Sequence, residues 1–516
     1  MKDMTKQTES PAKVNHNEHK QKVKAQQKKL RECQLAEGIR KIMGGTANRL
    51  CEAQTIEEEQ AIRQDAVASQ IQTYRSQLKT LLHQFSRIPD PRNPNKIKHK
   101  LTVLLLYGLL SSLYQMTSRR QMNREMSRPA FWTALSDFFP ELDSLPHADT
   151  LARLLADIDP IELEHAHIKL LNRFIRNKKF HRYLINKAYP IAVDGTQKLV
   201  RNGNYWEEEW LKRHAGKKDN KKVQRYVYVL EANLVFHNGM TLPVMSDFLF
   251  YEANKDKDTE NEKEKQDCEL RAFQRLAKRL KEHFPRLPII LLLDGLYANG
   301  PVMALCQQYH WQFMIVLKDK SLSTVWDEVE GLKPLQPQNN ETRLWKGRYQ
   351  HFYWVDHISY EYSSNGHQAI TVHVVVCEEE WDEVDQETGE IVRQKSRHAW
   401  LSNEKITHKN VHERCNLGAR YRWGIEDSMN TEKRRGYCYE HVFSHDWNGM
   451  RCFHALMRIA HLMNELVQRT RSVKKYIHQL GIVGYWELVK STLSGLWLTS
   501  EWIADLLTAP FQLRLE

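Results

Sequence analysis

The chain has 516 residues, 41% of them hydrophobic and 27% charged, and a mean hydropathy of -0.64. That is ample for a sizeable core and more than one domain, and it reads as a soluble chain without membrane spans. The formal net charge of +12 and the pI of about 9.1 suit a polyanionic partner, nucleic acid first. None of the eight cysteines forms a CxxC pair, so a reducing cytoplasm is expected and disulfide staples are not. His412 and Cys415, with Cys438 and His441, are spaced too loosely for a zinc site and read as scattered residues. The N-terminus, MKDMTKQTES, lacks the apolar stretch of a signal peptide.

Residues 1 to 88 form a basic helical region, its first 30 or so residues expected to be disordered. Apolar residues recur at helical spacing from Arg31 to Phe85, which predicts two or three exposed helices. Lys22, Lys24, Lys28, Lys29 and Arg31 make a basic cluster that reads as a solvated tail or as a clamp on a DNA backbone. Pro89, Pro91 and Pro94 mark a linker into a helical block, 89–186, a candidate DNA-binding module. Its run LTVLLLYGLLSSLY, Leu101 to Tyr114, is shorter than the ~20 residues of a membrane span and predicts a buried helix. Arg119, Arg120 and Arg124 form a basic patch. In PHADTLARLLADID, Asp149 or Thr150 is the expected helix cap, with Leu151, Leu154 and Leu155 on one face.

From about residue 187 the pattern changes. AYPIAVDGTQ reads as a buried strand ending at Asp194. A basic loop follows, holding Lys212, Arg213, His214, Lys217, Lys218, Lys221, Lys222 and Arg225. YVYVLEANLVF and TLPVMSDFLFY read as strands joined at His237-Asn238-Gly239. CELRAFQRLAKRLKEHF is a helix, LPIILLLDG a central strand ending at Asp294, NGPVMALCQQYH a helix and WQFMIVLKD a strand. Three strands, helix, strand, helix, strand is the element order of an RNase H-like α/β fold, expected over 187–320. No GxGxxG or GxxxxGKS is present, which argues against a nucleotide-binding doubly wound fold. Residues 321–410 alternate as a β-rich insertion. Residues 411–470 return to the core with a glutamate helix, RYRWGIEDSMNTEKRRG, and a long amphipathic helix, MRCFHALMRIAHLMNELVQR. Residues 471–516 form a helical, Trp-rich tail.

Asp194 and Asp294, ending neighbouring strands of such a sheet, would emerge at one edge. Oxygen ligands of this kind can bridge two Mg²⁺ or Mn²⁺ ions roughly 3.5–4 Å apart, which activate an attacking water or hydroxyl on a phosphodiester. Glu426 is the candidate third carboxylate. Arg422, four residues before it, and Lys433, seven after, should share nearly one helix face with it. Cations flanking a metal carboxylate make sense where that face also grips a phosphate. A surface ion-pair ladder is the plain alternative for the helix, and simple Asp-Gly turns for the aspartates.

In this order, IPDPRNP, the Leu-rich helix, PHADTLARLLADID, AVDGTQ, KQDCELRAFQRLAKRL, LLLDGLYANG, RWGIEDSMNTEK and WNGMRCFHALMRIAHLMN resemble the DDE transposases of bacterial insertion sequences, in the IS-four-like superfamily. The resemblance runs from about 85 to 470. It implies an RNase H-like catalytic core and a metal-binding triad of Asp194, Asp294 and Glu426 holding two Mg²⁺ or Mn²⁺ ions. It also implies a signature of Tyr, two residues, Arg, three residues, Glu, six residues, Lys. The Arg-Glu-Lys spacing is kept, but the tyrosine position holds Ala419. In such relatives a tryptophan of the β-insertion can stack on a flipped base, and Trp345, Trp354 and Trp400 are available here.

The implied activity is metal-dependent cleavage of DNA at the element ends, then strand transfer by the freed 3′-hydroxyl. The implied partners are double-stranded DNA, both terminal inverted repeats and target, and a second copy of the chain on paired ends. The implied place is the bacterial cytoplasm, at the nucleoid. Arg422, Lys433, Lys217, Lys218, Lys221, Lys222, Arg119 and Arg120 are the candidate DNA contacts. The alternatives are a decayed or domesticated DNA-binding relative, and an RNase H-like nuclease that cuts without joining.

Overall fold

The computed structural model describes residues 11–39, 51–203, 209–215, 222–250, 268–362 and 368–515. In chain order the helices are α1 (Pro11–Ala36), α2 (Ile56–Phe85), α3 (Leu101–Leu113), α4 (Arg119–Met126), α5 (Pro129–Phe138), α6 (Ala148–Asp157), α7 (Pro160–Arg176), α8 (Glu269–His283), α9 (Gly300–Tyr309), α10 (Ser323–Leu332), α11 (Gly424–Arg434), α12 (Trp447–Gln468), α13 (Arg471–Leu493) and α14 (Ser500–Thr508). The strands are β1 (Tyr189–Asn202), β2 (Leu211–Ala215), β3 (Lys222–Val235), β4 (Thr241–Leu249), β5 (Ile289–Leu293), β6 (Gln312–Val316), β7 (Asn340–Trp345), β8 (Arg348–Glu361), β9 (Ala369–Val384) and β10 (Ile391–Ser402). The fold class is mixed α/β, in two compact units: Met1–Gly45, Asp294–Gln308 and Gln312–Cys415 form one, and Thr46–Leu293, Tyr309–Trp311 and Asn416–Glu516 the other.

In the larger unit β3 is the hub of the sheet. One edge pairs antiparallel with β1; the other pairs with β2 along Lys222–Tyr226 and with β4 along Tyr228–Val235. β1 in turn pairs parallel with β5. The β3–β4 hairpin turns at Gly239, whose φ of +82° favours glycine. Four of these strands, β1, β3, β4 and β5, and the helix α8 were legible in the sequence; β2 was not, because its KRH core reads as a polar loop.

α12 is the core of this unit. It packs against α2, α3, α6, α7, α13 and β4. The expected amphipathic helix is in fact buried on almost every side. Its polar stripe, His454, Arg458 and His461, faces inward onto charged partners rather than out to water. α3 is buried as expected, because LTVLLLYGLLSSL offers no polar face. It approaches α6 and α12 so closely that a Cβ at Gly108 would sit 2.9 Å from Leu151 Cδ2 and from Leu456 Cδ1. His147, rather than Asp149 or Thr150, caps α6: its Nδ1 accepts from the Asp149 N–H at 3.2 Å. Leu151, Leu154 and Leu155 are buried together as the pattern required. α2 buries Ala66, Val67, Ile71, Tyr74, Leu78 and Leu81, so it is a packed helix, not an exposed one.

The smaller unit is built on an antiparallel sheet, β6-β10-β9-β8-β7. Lys346 and Gly347, at φ of 48° and 79°, make the two-residue β7–β8 turn. At the β9–β10 turn, Asp385 Oδ1 accepts the N–H groups of Glu387 at 2.9 Å and Thr388 at 2.7 Å. Residues 321–410 thus hold one helix, α10, followed by the four strands β7 to β10. Residues 11–36, assigned mostly to disorder from composition, are helical. The helical spacing was read only from Arg31 onward; before it, α1 meets the β9–β10 turn through contacts with residues over 360 positions away. Among the described residues no helix is long and apolar enough to cross a membrane.

Leu106 is fully buried in α3. Leu106→Ala is expected to cost about 2–5 kcal/mol of stability through lost contacts and a residual cavity, read from the urea midpoint at constant slope.

Candidate active site

β1 does not end at Asp194. It runs on to Asn202, paired with β3 throughout, while its parallel pairing with β5 stops at Ala192↔Leu292. The Asp-Gly step that reads as a turn is a strand interior, because β3 supplies the ladder after β5 has ended. Gly195 is required for close approach: a Cβ there would lie 2.6 Å from Tyr228 Cε1 and 2.9 Å from Glu269 Cδ. Asp194 is thus a side chain on β1 just past the end of its parallel neighbour, with a quarter of its surface open. Asp294 directly follows Leu293, the last residue of β5, and its Oδ1 accepts the Leu296 N–H at 3.0 Å. Asp194 belongs to the larger unit, and Asp294 opens a segment of the smaller one.

Glu426 lies in the first turn of α11. Arg422 is not on that helix, as expected from spacing, but in the 3-10 turn Ala419–Trp423 before it, which follows a π-helical segment, His412–Gly418. The guanidinium is nearly buried and bridges two carboxylates: Nη2 donates to Glu426 Oε1 at 3.1 Å, and Nη1 stands 3.6 Å from Asp194 Oδ2. At the other end of α11, Lys433 Nζ donates to Thr196 Oγ1 at 2.7 Å and lies 3.4 Å from Glu440. Thr196 is two residues after Asp194 on the same face of β1. Both cations of the Arg-Glu-Lys spacing therefore close onto one face of β1.

That face continues into a buried ionic network that sequence reading missed. Glu231 is the cross-strand partner of Asp194. It is fully buried and receives Arg458 Nη2 at 3.1 Å, His454 Nε2 at 3.2 Å, Tyr439 Oη at 3.0 Å and Ser246 Oγ at 2.6 Å. Arg458 also reaches Glu432 of α11 at 3.1 Å, and His461 Nδ1 meets the same Oε1 at 2.6 Å. Burial would raise the Glu231 carboxyl, but the Arg458 guanidinium and His454 outweigh it and hold it below the usual range. Lys198, buried at a bulge of β1, donates to the Tyr439 carbonyl at 2.7 Å. Burial pushes its ammonium down to about 8, against the pull of Glu231, Glu432 and Glu440. Charged residues on a helix pattern as solvent-facing, so only two histidines and an arginine at i, i+4 and i+7 of an apolar helix could have hinted at this.

The remaining candidates lie elsewhere. Arg119 opens α4 and pairs with Asp149 at 3.1 Å; Arg120, beside it, is exposed. Lys222 begins β3 and is exposed, while Lys217, Lys218 and Lys221 fall outside the described residues. In the smaller unit Trp354 and Trp400 are buried, and Trp345 is half-buried with its edge toward His412. An exposed tryptophan that sequence reading passed over, Trp423, is 61% exposed beside Arg422, whose guanidinium lies 4.9 Å from its ring centroid.

The donor chemistry, partly exposed carboxylate oxygens, suits Mg²⁺ or Mn²⁺. Among the described residues, however, no three Asp, Glu, His or Cys side chains are gathered closely enough to hold an ion; Arg422 stands between two of the acids.

The family described as DDE_Tnp_1-associated matches residues 82–171, the segment from the end of α2 into α7. IPDPRNP, the Leu-rich helix and PHADTLARLLADID fall inside it. The match points to the IS-four-like DDE transposases and to a transposase-related, enzymatic function; it spans well under half of the chain. No curated protein matches the sequence.

Lys198 gives a signed test of the network. Its folded value of about 8 is below its ordinary 10.5, so between these values the unfolded chain holds more protons. Stability should rise with pH across that window by about 3 kcal/mol more in wild type than in Lys198→Met, measured by denaturant unfolding at pH 7 to 10.5.

Proposed function

We propose that the chain is a DDE transposase that cuts DNA at element ends and joins the freed 3′-ends to target DNA. The observation that carries the reading is Arg422 holding Asp194 of β1 and Glu426 of α11 together on one sheet face. Asp294, the residue after β5 in sequence, is the third acid of the proposed triad, as the family resemblance implies. The order β4-β3-β1-β5, antiparallel then parallel, supports an RNase H-like core in the larger unit. The DDE_Tnp_1-associated match supports the family.

In this reading Asp194, Asp294 and Glu426 are the residues that would hold Mg²⁺ or Mn²⁺, which would supply Lewis-acid activation of the attacking and leaving oxygens. Arg422 and Lys433 flank the acids and neutralise non-bridging oxygens of the scissile phosphate. Arg422 can serve this role only by loosening its hold on Asp194, which at 3.6 Å is the weaker of its two contacts. Lys433 is already fixed by Thr196 and needs no such change. Lys222, Arg119, Arg120, Lys217, Lys218 and Lys221 are proposed backbone contacts. Two copies on paired ends, in a bacterial cytoplasm, complete the proposal.

Excision and joining of a marked segment between the element's own ends tests it. Both should require Mg²⁺ and fall by at least about 10³-fold in Asp294→Asn and Glu426→Gln, with end binding retained. Cutting without joining would assign a nuclease. Specific end binding with no cutting by wild type would assign a binding protein.

A further inference from the structure

The basic cluster of the N-terminal region takes a defined form in the smaller unit. Along the described side chains of α1 the half-buried or buried positions are His19, Val23, Gln26, Leu30, Gln34 and Leu35, recurring every three or four residues up to Gln34. This stripe faces the β9–β10 turn: His19 Nε2 meets the Gln386 carbonyl at 3.0 Å, Lys22 Nζ donates to the Thr388 carbonyl at 3.1 Å, and Val23 is buried. With Val23 at zero and about 100° per residue, Lys20, Arg31, Lys24 and Lys28 fall at about 60°, 80°, 100° and 140°. Lys29 and Glu18 fall on the other flank, at about 240° and 220°.

The four cations are exposed. Lys28 makes a loose 3.9 Å pair with Glu32, both well exposed. Lys20, Lys24 and Arg31 have no carboxylate within ion-pair distance among the described residues. Lys20, Lys24 and Lys28 are spaced i, i+4, i+8, an arrangement that repels itself along a helix. The row extends about 16 Å along the axis. DNA presents a phosphate charge for every ~1.7 Å of its own axis, so several phosphates lie within that reach. A membrane-surface helix would need its apolar stripe free, and here that stripe is turned onto the hairpin. The hairpin is acidic: Glu380, Asp382 and Glu379 are taken up by Lys395, Arg393 and Arg348, and Asp385 by the N–H groups of its turn, while Glu378, Glu383, Glu387 and Glu390 also lie on it, none of them paired, among the described residues, with Lys20, Lys24, Lys28 or Arg31.

We propose that the flank of α1 carrying Lys20, Lys24, Lys28 and Arg31 is a sequence-independent docking surface for the phosphate backbone of double-stranded DNA. The surface rests on charge and geometry; the preference for DNA over RNA rests on the proposed function.

The test is full-length protein binding a random-sequence DNA duplex, followed by fluorescence anisotropy over a range of salt, with divalent ions chelated so that nothing is cut. Each phosphate contact contributes about 0.9 to the slope of log affinity against log salt. The variant Lys20→Gln/Lys24→Gln/Lys28→Gln/Arg31→Gln should lose about 3 to 4 from that slope, with its unfolding midpoint unchanged. Lys29→Gln, on the opposite flank, should leave the slope as it is. An unchanged slope in the fourfold variant overturns the surface, and the transposase reading survives if Mg²⁺-dependent cleavage is intact. A lost slope with no cleavage by wild type keeps the surface and removes the transposase. Tighter binding of an RNA duplex than of DNA, abolished by the same four substitutions, overturns the choice of partner.

Discussion

The larger unit depends on one guanidinium. Arg458 lies in the middle of α12 and is paired at once with Glu231 of β3 and Glu432 of α11, all three nearly inaccessible to water. Stripping two carboxylates and a guanidinium of water is costly, and the cost is offset only when every group has partners. Tyr439, Ser246, His454, His461 and Asn233 supply nearly all of them, the Arg458 Nε being left without a hydrogen-bond partner among the described residues. A sheet strand, the glutamate helix and the central helix are therefore coupled: displacing any one leaves a buried charge exposed to nothing. An apolar core would tolerate small slips between these elements; a network of fixed donors and acceptors does not. That rigidity is what sets α11 against β1, and with it Glu426 and Lys433.

The same arrangement resolves an electrostatic difficulty in the sheet. Asp194 and Glu231 are directly opposed across β1 and β3, and like charges in that position repel. The structure separates their compensation. Glu231 is neutralised from below by Arg458 and assisted by Tyr439 and Ser246, and burial removes it from solvent. Asp194 is compensated from the side by Arg422 and stays partly open. One acid is committed to holding the fold; the other keeps a surface through which a ligand can reach it. The end of β5 at Leu293 creates that opening, since β1 continues past it with one strand neighbour fewer.

Much of this was legible in the sequence, and the limits have physical causes. Strands and helices whose apolar period matches their geometry were readable: β3, β4, β5, α3 and α8 follow the pattern of alternating or recurring apolar residues. The acids Asp194, Asp294 and Glu426 were picked by their positions after apolar runs and by the Arg-Glu-Lys spacing, and two of them share Arg422. Asp194 was misjudged as a strand end because Asp-Gly is a turn signal locally, whereas strand length here is set by a partner some 35 residues away. The helix break before Gly424 was invisible, since neither the π-helical nor the 3-10 segment has a composition of its own. Glu231, Glu432 and Arg458 were invisible for a deeper reason. Periodicity assumes that charge faces water, and this core inverts the assumption.

Internal counter-charge also reaches the partly open acids of the larger unit. In a site whose acids face only one another, folding and metal binding are one event, because mutual repulsion must be relieved by the metal. Here Asp194 and Glu426 share a protein cation within reach, Arg422, with Lys433 anchored on Thr196 at the other end of α11. The chain therefore carries its own provisional counter-charge. The arginine holds the two acids side by side in the folded state, and the weaker of its two contacts is the one to Asp194, the residue that faces the opening. Under the proposed function, the charge that assembles the two acids would be the same charge that meets a phosphate.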